Sequence, residues 1–217
     1  MVAKKLLPGV YQFDTIAFSY LLVDDAFLVD GGFSLNPAKI LDGLRAVGYQ
    51  PTDVKELVAT HCHRDHIGGF AALREKTGAQ IVAHATEVPF VEGRQFLPNR
   101  GAMTRLLRRF IRSPPLHVDR AVHEGDRVGS FRVLDTPGHT PGHIVLWDEN
   151  RSLVIAGDAV RVTRTHAGPS QPRFNVDQAQ AVQSFRRIAS LEFENLVAGH
   201  DDVVLGGASR VLRERAG

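Results

Sequence analysis

The stretch Thr60-His61-Cys62-His63-Arg64-Asp65-His66-Ile67-Gly68-Gly69 constrains this chain more than any other. It follows an apolar run at 56–59 that reads as a buried strand. It precedes residues 70–76, which read as a helix opened by the two glycines. Three imidazoles and a carboxylate therefore fall on a loop at the carboxyl end of a strand, where open sheets covered by helices place their ligands. Neutral imidazole and carboxylate are the groups that suit zinc and other divalent metals. A lone His is usually a core or surface residue; four such groups on one loop favour a metal site over a plain polar turn.

The rest of the chain limits the company this loop can keep. With 217 residues, 43% hydrophobic and 23% charged, it has the material for a soluble core and reads as a single domain, 1–217. A net charge of +2 gives no argument for nucleic acid. No apolar run approaches a membrane span, and residues 1–9 have no apolar stretch ahead of Pro8, so neither membrane nor secretory signal is expected. Cys62 is the only cysteine, which excludes an internal disulfide and makes cytoplasmic location the default.

Short β-prone runs at 10–15, 19–23 and 26–29 open the chain. An amphipathic helix follows at 37–48, with Ile40, Leu41, Leu44 and Val47 on one face, then the metal loop and its helix, and a strand at 79–83. Strands resume at 121–124, 131–135, 143–147 and 153–156. Residues 177–191 read as a helix, 196–198 as a strand and 208–215 as a closing helix. The order suggests two similar halves, each a sheet covered by helices on its outer face.

The second half returns to metal chemistry three times, always after an apolar strand. Phe131 to Asp135 leads into Thr136-Pro137-Gly138-His139-Thr140-Pro141-Gly142-His143, the run at 153–156 into Gly157-Asp158, and the run at 196–198 into Gly199-His200. Each alone is weak, because a strand-end Asp or His is more often a turn residue; the recurrence raises the odds. Taken together, His61-x-His63-x-Asp65-His66, His139, Asp158 and His200 resemble the metallo-β-lactamase superfamily, in matching order from about Asp30 to His200.

The resemblance implies an α/β fold, an αββα sandwich with the site along one edge, and two divalent metal ions, zinc first, with iron or manganese as alternatives. It implies that His61, His63 and His139 hold one metal, that Asp65, His66 and His200 hold the other, and that Asp158 bridges both. Asp30 matches a position that orients a metal-bound His; a plain strand-end turn is an equal reading of it. His143 is either a nearby donor or an ordinary strand residue. The reaction implied is hydrolysis of a small ester, lactone or thioester by a hydroxide shared between the metals, with Asp65 and Asp158 as the catalytic carboxylates.

Departures from named branches narrow this. Branches that carry a Cys ligand in place of Asp158, or lack the bridging Asp, are antibiotic-degrading β-lactamases. Quorum-signal lactonases use a Tyr between the bridging Asp and the last His, whereas the tyrosines here are Tyr11, Tyr20 and Tyr49. Glyoxalase-type enzymes add a glutathione-binding tail, for which the residues after His200 leave no room. Iron persulfide dioxygenases share a similar THCHxDH stretch and match His61, His139 and Asp158. That oxidoreductase, a metallo-β-lactamase and a non-catalytic metal module are the alternatives.

Residues 85–119, rich in Arg, Phe and Pro, break the strand-helix rhythm and read as an insertion. Met103, Leu106, Leu107, Phe110 and Ile111 fall on one helical face. Phe96, Leu97, Leu107 and Phe110 are expected to line a pocket for a small-molecule substrate; a core helix and a homodimer contact are the competing readings of the same face.

Overall fold

The structure, a computed structural model, describes residues 3–98 and 116–216. Two sheets lie face to face. The first is seven-stranded, in the order β1 (Lys4–Leu7), β2 (Val10–Phe13), β3 (Ser19–Leu22), β4 (Phe27–Val29), β5 (Glu56–Val58), β6 (Gln80–His84) and β7 (Arg120–Val122). Strands β1 to β4 form an antiparallel meander, and β4 to β7 run parallel. The connections of the parallel part carry α1 (Pro37–Ala46), α2 (Arg64–Ile67), α3 (Phe70–Thr77) and α4 (Val88–Val91).

The second sheet contains β8 (Arg127–Val128), β9 (Phe131–Asp135), β10 (Ile144–Asp148) and β11 (Leu153–Ile155). Past a small hairpin of β12 (Arg161–Val162) and β13 (Ala167–Gly168) come β14 (Asn195–Val197) and β15 (Val204–Leu205), and the sheet order is β15-β14-β11-β10-β9-β8. Helices α5 (Gln178–Ala189) and α6 (Ala208–Arg215) belong to this half.

Side-chain alternation sorts the chain into layers. Tyr20, Leu22, Phe27, Val29, Val58 and Val82 of the first sheet meet Val133, Ile144, Leu146 and Val197 of the second between the sheets. Phe27 and Phe131 meet edge to face, with ring centroids 5.6 Å apart. On the other face of the first sheet, Leu21, Leu28, Leu57 and Ile81 pack with Ile40 and Leu44 of α1 and Phe70 and Leu73 of α3. On the far side, Val145, Val154 and Leu196 pack with Phe185 and Ile188 of α5 and Leu212 of α6. This is the αββα sandwich expected from the sequence. No described helix is long and apolar enough to cross a membrane.

The expected helices and most strands lie where periodicity put them. Helix α5 starts at its Asp177 cap, whose carboxylate accepts the Gln180 N–H. Additional are the short elements: β1, β8, β15, the two-residue strands of the β12–β13 hairpin, and the one-turn helices α2 and α4. The helix expected around Met103 to Ile111 lies outside the described residues.

Strand ends decide where chemistry can occur. Asp30, Thr60, Gly157 and Gly199 follow the carboxyl ends of β4, β5, β11 and β14, so all four loops open on one edge. The opposite edge is closed by a polar latch. The Arg151 guanidinium pairs with Asp25, Asp148 and Asp24, and Ser130 donates from its hydroxyl to Asp148 and from its backbone N–H to Asp25. The latch ties the β3–β4 turn to the turns of the second sheet. Asp25 and Asp148 side chains are only 8% and 2% exposed, so removing their cation strands two buried carboxylates. Arg151 itself is partly solvated, which trims the cost. Arg151→Ala is expected to lose about 2–3 kcal/mol, a fall in Tm of roughly 4–12 °C, with metal content unchanged. Thermal denaturation beside elemental analysis checks both.

Candidate metal centre

Each expected ligand arrives at the same edge. His61 Nε2 and His139 Nε2 approach His63 Nδ1 to 3.0 and 2.9 Å. His200 Nε2 lies 3.3 Å from Asp65 Oδ2, and His66 Nε2 lies 3.9 Å from the same oxygen. Asp158 stands between the two groups. Its Oδ2 is 3.3 Å from His139 Nε2, and its Oδ1 is 3.4 Å from His66 Nε2 and 3.7 Å from His200 Nε2. Three overlapping sets of possible ligands result: His61, His63 and His139; His61, His66 and Asp158; Asp65, His66 and His200.

The donor set fits divalent cations. Atoms about 3.0–3.4 Å apart are spaced as two ligands on one metal with bonds near 2.0–2.2 Å. His66 Nε2 and Asp158 Oδ1 are both buried and have no hydrogen-bond partner. Such orphaned buried polar atoms are costly unless something binds them.

The outward-facing nitrogens are engaged, which turns the lone pairs inward. Asp30 accepts the Thr60 backbone N–H at 2.9 Å, the Thr60 hydroxyl at 2.8 Å and His66 Nδ1–H at 2.7 Å. It does so from a left-handed backbone conformation, φ 54°. His61 Nδ1 lies 3.0 Å from Thr60 Oγ1, completing a chain from ring to hydroxyl to carboxylate. His139 Nδ1 lies 3.0 Å from Asn175 Oδ1. Contacts of this kind fix tautomer and ring direction in metal sites.

His143 proves to be wholly buried and occupied. Its Nε2 accepts the Asp158 backbone N–H at 3.0 Å and its Nδ1 lies 2.9 Å from Thr136 Oγ1. Ser170 Oγ donates to the Asp158 carbonyl at 2.6 Å. The backbone of Asp158 is therefore pinned on both sides while its carboxylate faces the histidines.

Two participants carried no sequence signal. Asn175 sits in a Pro-containing loop. Glu87 is buried beside α4, and its two oxygens accept the Cys62 N–H at 2.8 Å and the Gly142 N–H at 2.7 Å. It thereby ties the His61–His66 loop to the His139–His143 loop across the two halves.

The two ends of the centre differ electrostatically. Burial, reinforced by neighbouring imidazoles, holds His61 well below the usual histidine range and pushes His63 down to about 3. Burial also lowers His139, against the pull of Asp158. At His66 burial acts the same way, but the Asp30 and Asp158 carboxylates outweigh it and raise the pKa. The hydrogen bond to Asp65 raises His200. Without metal, then, the surroundings of His61, His63 and His139 favour the neutral imidazole that binds a cation, whereas those of His66 and His200 favour the protonated ring, whose extra proton a cation must displace. On acidification through the histidine range the affinity of the Asp65–His66–His200 end should therefore fall more steeply than that of the other end. Zinc titration against a competing chelator at several pH values measures this; equal pH dependence at both ends would contradict it.

A cavity of about 440 Å³ opens over the centre. His63, Asp65, His139, Asp158 and His200 form its metal-facing side, and Val160, Arg161, Ser170, Gln171, Phe174 and Asp201 the rest. Among the described residues the wall thus comes from the segment after Asp158, with Asp201 from the loop after His200. Phe96, with 57% of its surface exposed, and Leu97 are not among the lining residues, and Leu107 and Phe110 lie outside the described residues. The β12–β13 hairpin, with Arg161 paired to Gly168, follows Asp158 directly and so brings its residues to this edge.

Comparison with known proteins agrees with this geometry. The family model of the metallo-beta-lactamase superfamily matches residues 14–200. The chain belongs to that superfamily. It is 30% identical to the probable metallo-hydrolase YflN of Bacillus subtilis, over 84% of this chain and 75% of that protein. A hydroxyacylglutathione hydrolase of Fuscovulum blasticum is 32% identical over 85% of this chain, which spans only 62% of that enzyme. Among solved structures, TTHA1623 in a di-iron-bound form superposes with a TM-score of 0.68 at 25% identity, covering 100% of this chain and 98% of that one. With its His-rich centre, this member of the superfamily is a metal-binding hydrolase.

Proposed function

We propose that the protein is a dinuclear metal-dependent hydrolase of a small thioester, ester or lactone. The observation that carries this reading is the Asp158 carboxylate, whose two oxygens face different histidine groups while one of them is buried and unpaired. His61, His63 and His139 would hold one ion, Asp65, His66 and His200 the other, and Asp158 would serve both. Two divalent ions so held would bring the pKa of bound water towards neutrality and polarise a carbonyl oxygen. Zinc suits the nitrogen-rich set; the di-iron form of the similar structure supports iron as an alternative.

The chain's own groups supply the rest. Burial opposes ionisation of Asp65 most strongly, but the hydrogen bond to His200 and the attraction of His66 together hold its carboxyl below the usual carboxylate range. It faces the cavity and can orient a water or accept its proton. The Asp30–Thr60–His61 chain and the Asp30–His66 contact hold the imidazoles in place, and Asn175 does the same for His139. Val160 and Phe174 form an apolar wall beside the reacting position. The hydroxyacylglutathione hydrolase relatives favour a thioester among the three bonds.

The test is a panel of neutral and anionic thioesters, aryl esters, lactones and β-lactams with the zinc-loaded protein. The thioester or ester should reach kcat/KM above about 10⁴ M⁻¹s⁻¹, with β-lactams and acyl-homoserine lactones well below it. A β-lactam turned over in that range would overturn the substrate class, and a homoserine lactone in that range would overturn the exclusion of that lactone.

A further inference from the structure

Arg161 is the one lysine or arginine among the described residues that line the cavity. It stands three residues after Asp158, on β12. Its Nε donates to Asp201 Oδ2 at 2.7 Å, and the guanidinium is about one third exposed. Asp201 in turn follows His200 and adopts φ 66°. The Asp202 N–H bonds the Val162 carbonyl at 3.1 Å, so the two ends of this pair are also joined through backbone.

A clamp between the Asp158 and His200 loops uses only Nε. Among the described residues neither Nη atom has a hydrogen-bond partner, and the side chain borders the cavity. Two parallel N–H donors on a planar, permanently charged group are the arrangement that reads a carboxylate. The side chain is held in advance by Asp201, so less rotamer freedom is lost when an anion binds. Opposite in character are Val160, which is buried, and Phe174, whose ring is 53% exposed and carries the Arg173 guanidinium 4.6 Å above its centroid. The cavity thus offers one cationic fork beside hydrocarbon.

We propose that Arg161 binds a carboxylate on the substrate, so that the preferred compound is the acid form of a small thioester or ester with an apolar segment placed against Phe174. This rests on the hydrolase reading above and narrows it to one charge type.

The test uses matched pairs that differ only in charge. One pair is the acetyl thioesters of 3-mercaptopropionate and 3-mercaptopropionamide; the other is the succinyl and succinamoyl thioesters of one neutral thiol. Metal-loaded wild type should favour the acid in at least one pair by about tenfold or more in kcat/KM, mainly through KM. That ratio should fall close to one in Arg161→Gln at unchanged metal content and keep part of its value in Arg161→Lys. Asp201→Asn should keep the preference, because the guanidinium remains; loss of the preference in that variant equal to the loss in Arg161→Gln would reduce the pair to a clamp and overturn the proposal. A wild-type ratio near one in both pairs, or a ratio retained in Arg161→Gln, would also overturn it. If no thioester, ester or lactone is cleaved at all, the hydrolase reading fails by itself. Calorimetry with the non-hydrolysable thioethers of the same acids and amides then decides the role of Arg161. Tighter binding of the acid by wild type but not by Arg161→Gln upholds it, and equal binding sinks it.

Discussion

Asp158→Ala should lower kcat/KM by about 10³-fold or more and leave at most one metal ion firmly bound per chain. The size of the effect follows from the position of the two oxygens. Oδ2 faces His139, and Oδ1 faces His66 and His200, so one truncation removes a ligand atom from each end of the centre. The fold should survive, because His143 and Ser170 hold the backbone N–H and carbonyl of residue 158, which alanine keeps. Asp158→Asn should fall between the two, since an amide retains one oxygen and loses the charge. Metal content and kinetics of both variants check the expectation. Two tightly bound ions and a near-normal rate in Asp158→Ala would remove Asp158 from its place between the sites.

Gly199→Ala is the second large effect, and it is steric. A Cβ at this position would stand 2.4 Å from Asp158 Oδ1 and 2.7 Å from His66 Cε1. The backbone cannot withdraw easily: the Gly199 N–H bonds the Gly157 carbonyl at 2.8 Å, and the Gly199 carbonyl accepts the Phe18 N–H at 2.7 Å. The methyl must therefore displace the carboxylate or the imidazole. Misplacement of that order costs about 10²-fold in rate, and overpacking a rigid site costs about 1–3 kcal/mol of stability. We expect roughly hundredfold slower turnover, weaker retention of the ion at the Asp65–His66–His200 end, and a modest fall in Tm. Normal kinetics in this variant would show that the edge is looser than its contacts imply.

Much of the candidate centre was legible in the chain because the residues that could hold metal sit where a strand must stop. A polar group beside glycine at the end of a buried strand has no packing role to play, and four loops repeat that arrangement. The role of Asp30 was an even choice on sequence; its contacts with Thr60 and His66 settle where its carboxylate points. Glu87 and Asn175 were invisible for a different reason. They act on partners far away in sequence, and Glu87 does so through two backbone N–H groups that carry no residue identity. The cavity wall was sought in residues 85–119, whose composition breaks the pattern. Among the described residues the wall comes from the segments after Asp158 and His200, where strands of two residues are too short to show any periodicity. Strand β1 escaped notice because Lys4 and Lys5 are exposed and only Leu6 is buried, so this edge strand shows too little apolar alternation to read.

The central claim is that this edge holds two metal ions shared through one carboxylate. Its most direct test is elemental analysis of the protein after metal loading and removal of loosely bound ions, with oxygen uptake followed on a persulfide. The account predicts two divalent ions per chain and no oxygen consumption. One iron per chain, with oxygen consumed as the persulfide is oxidised, would contradict it and make the protein a dioxygenase.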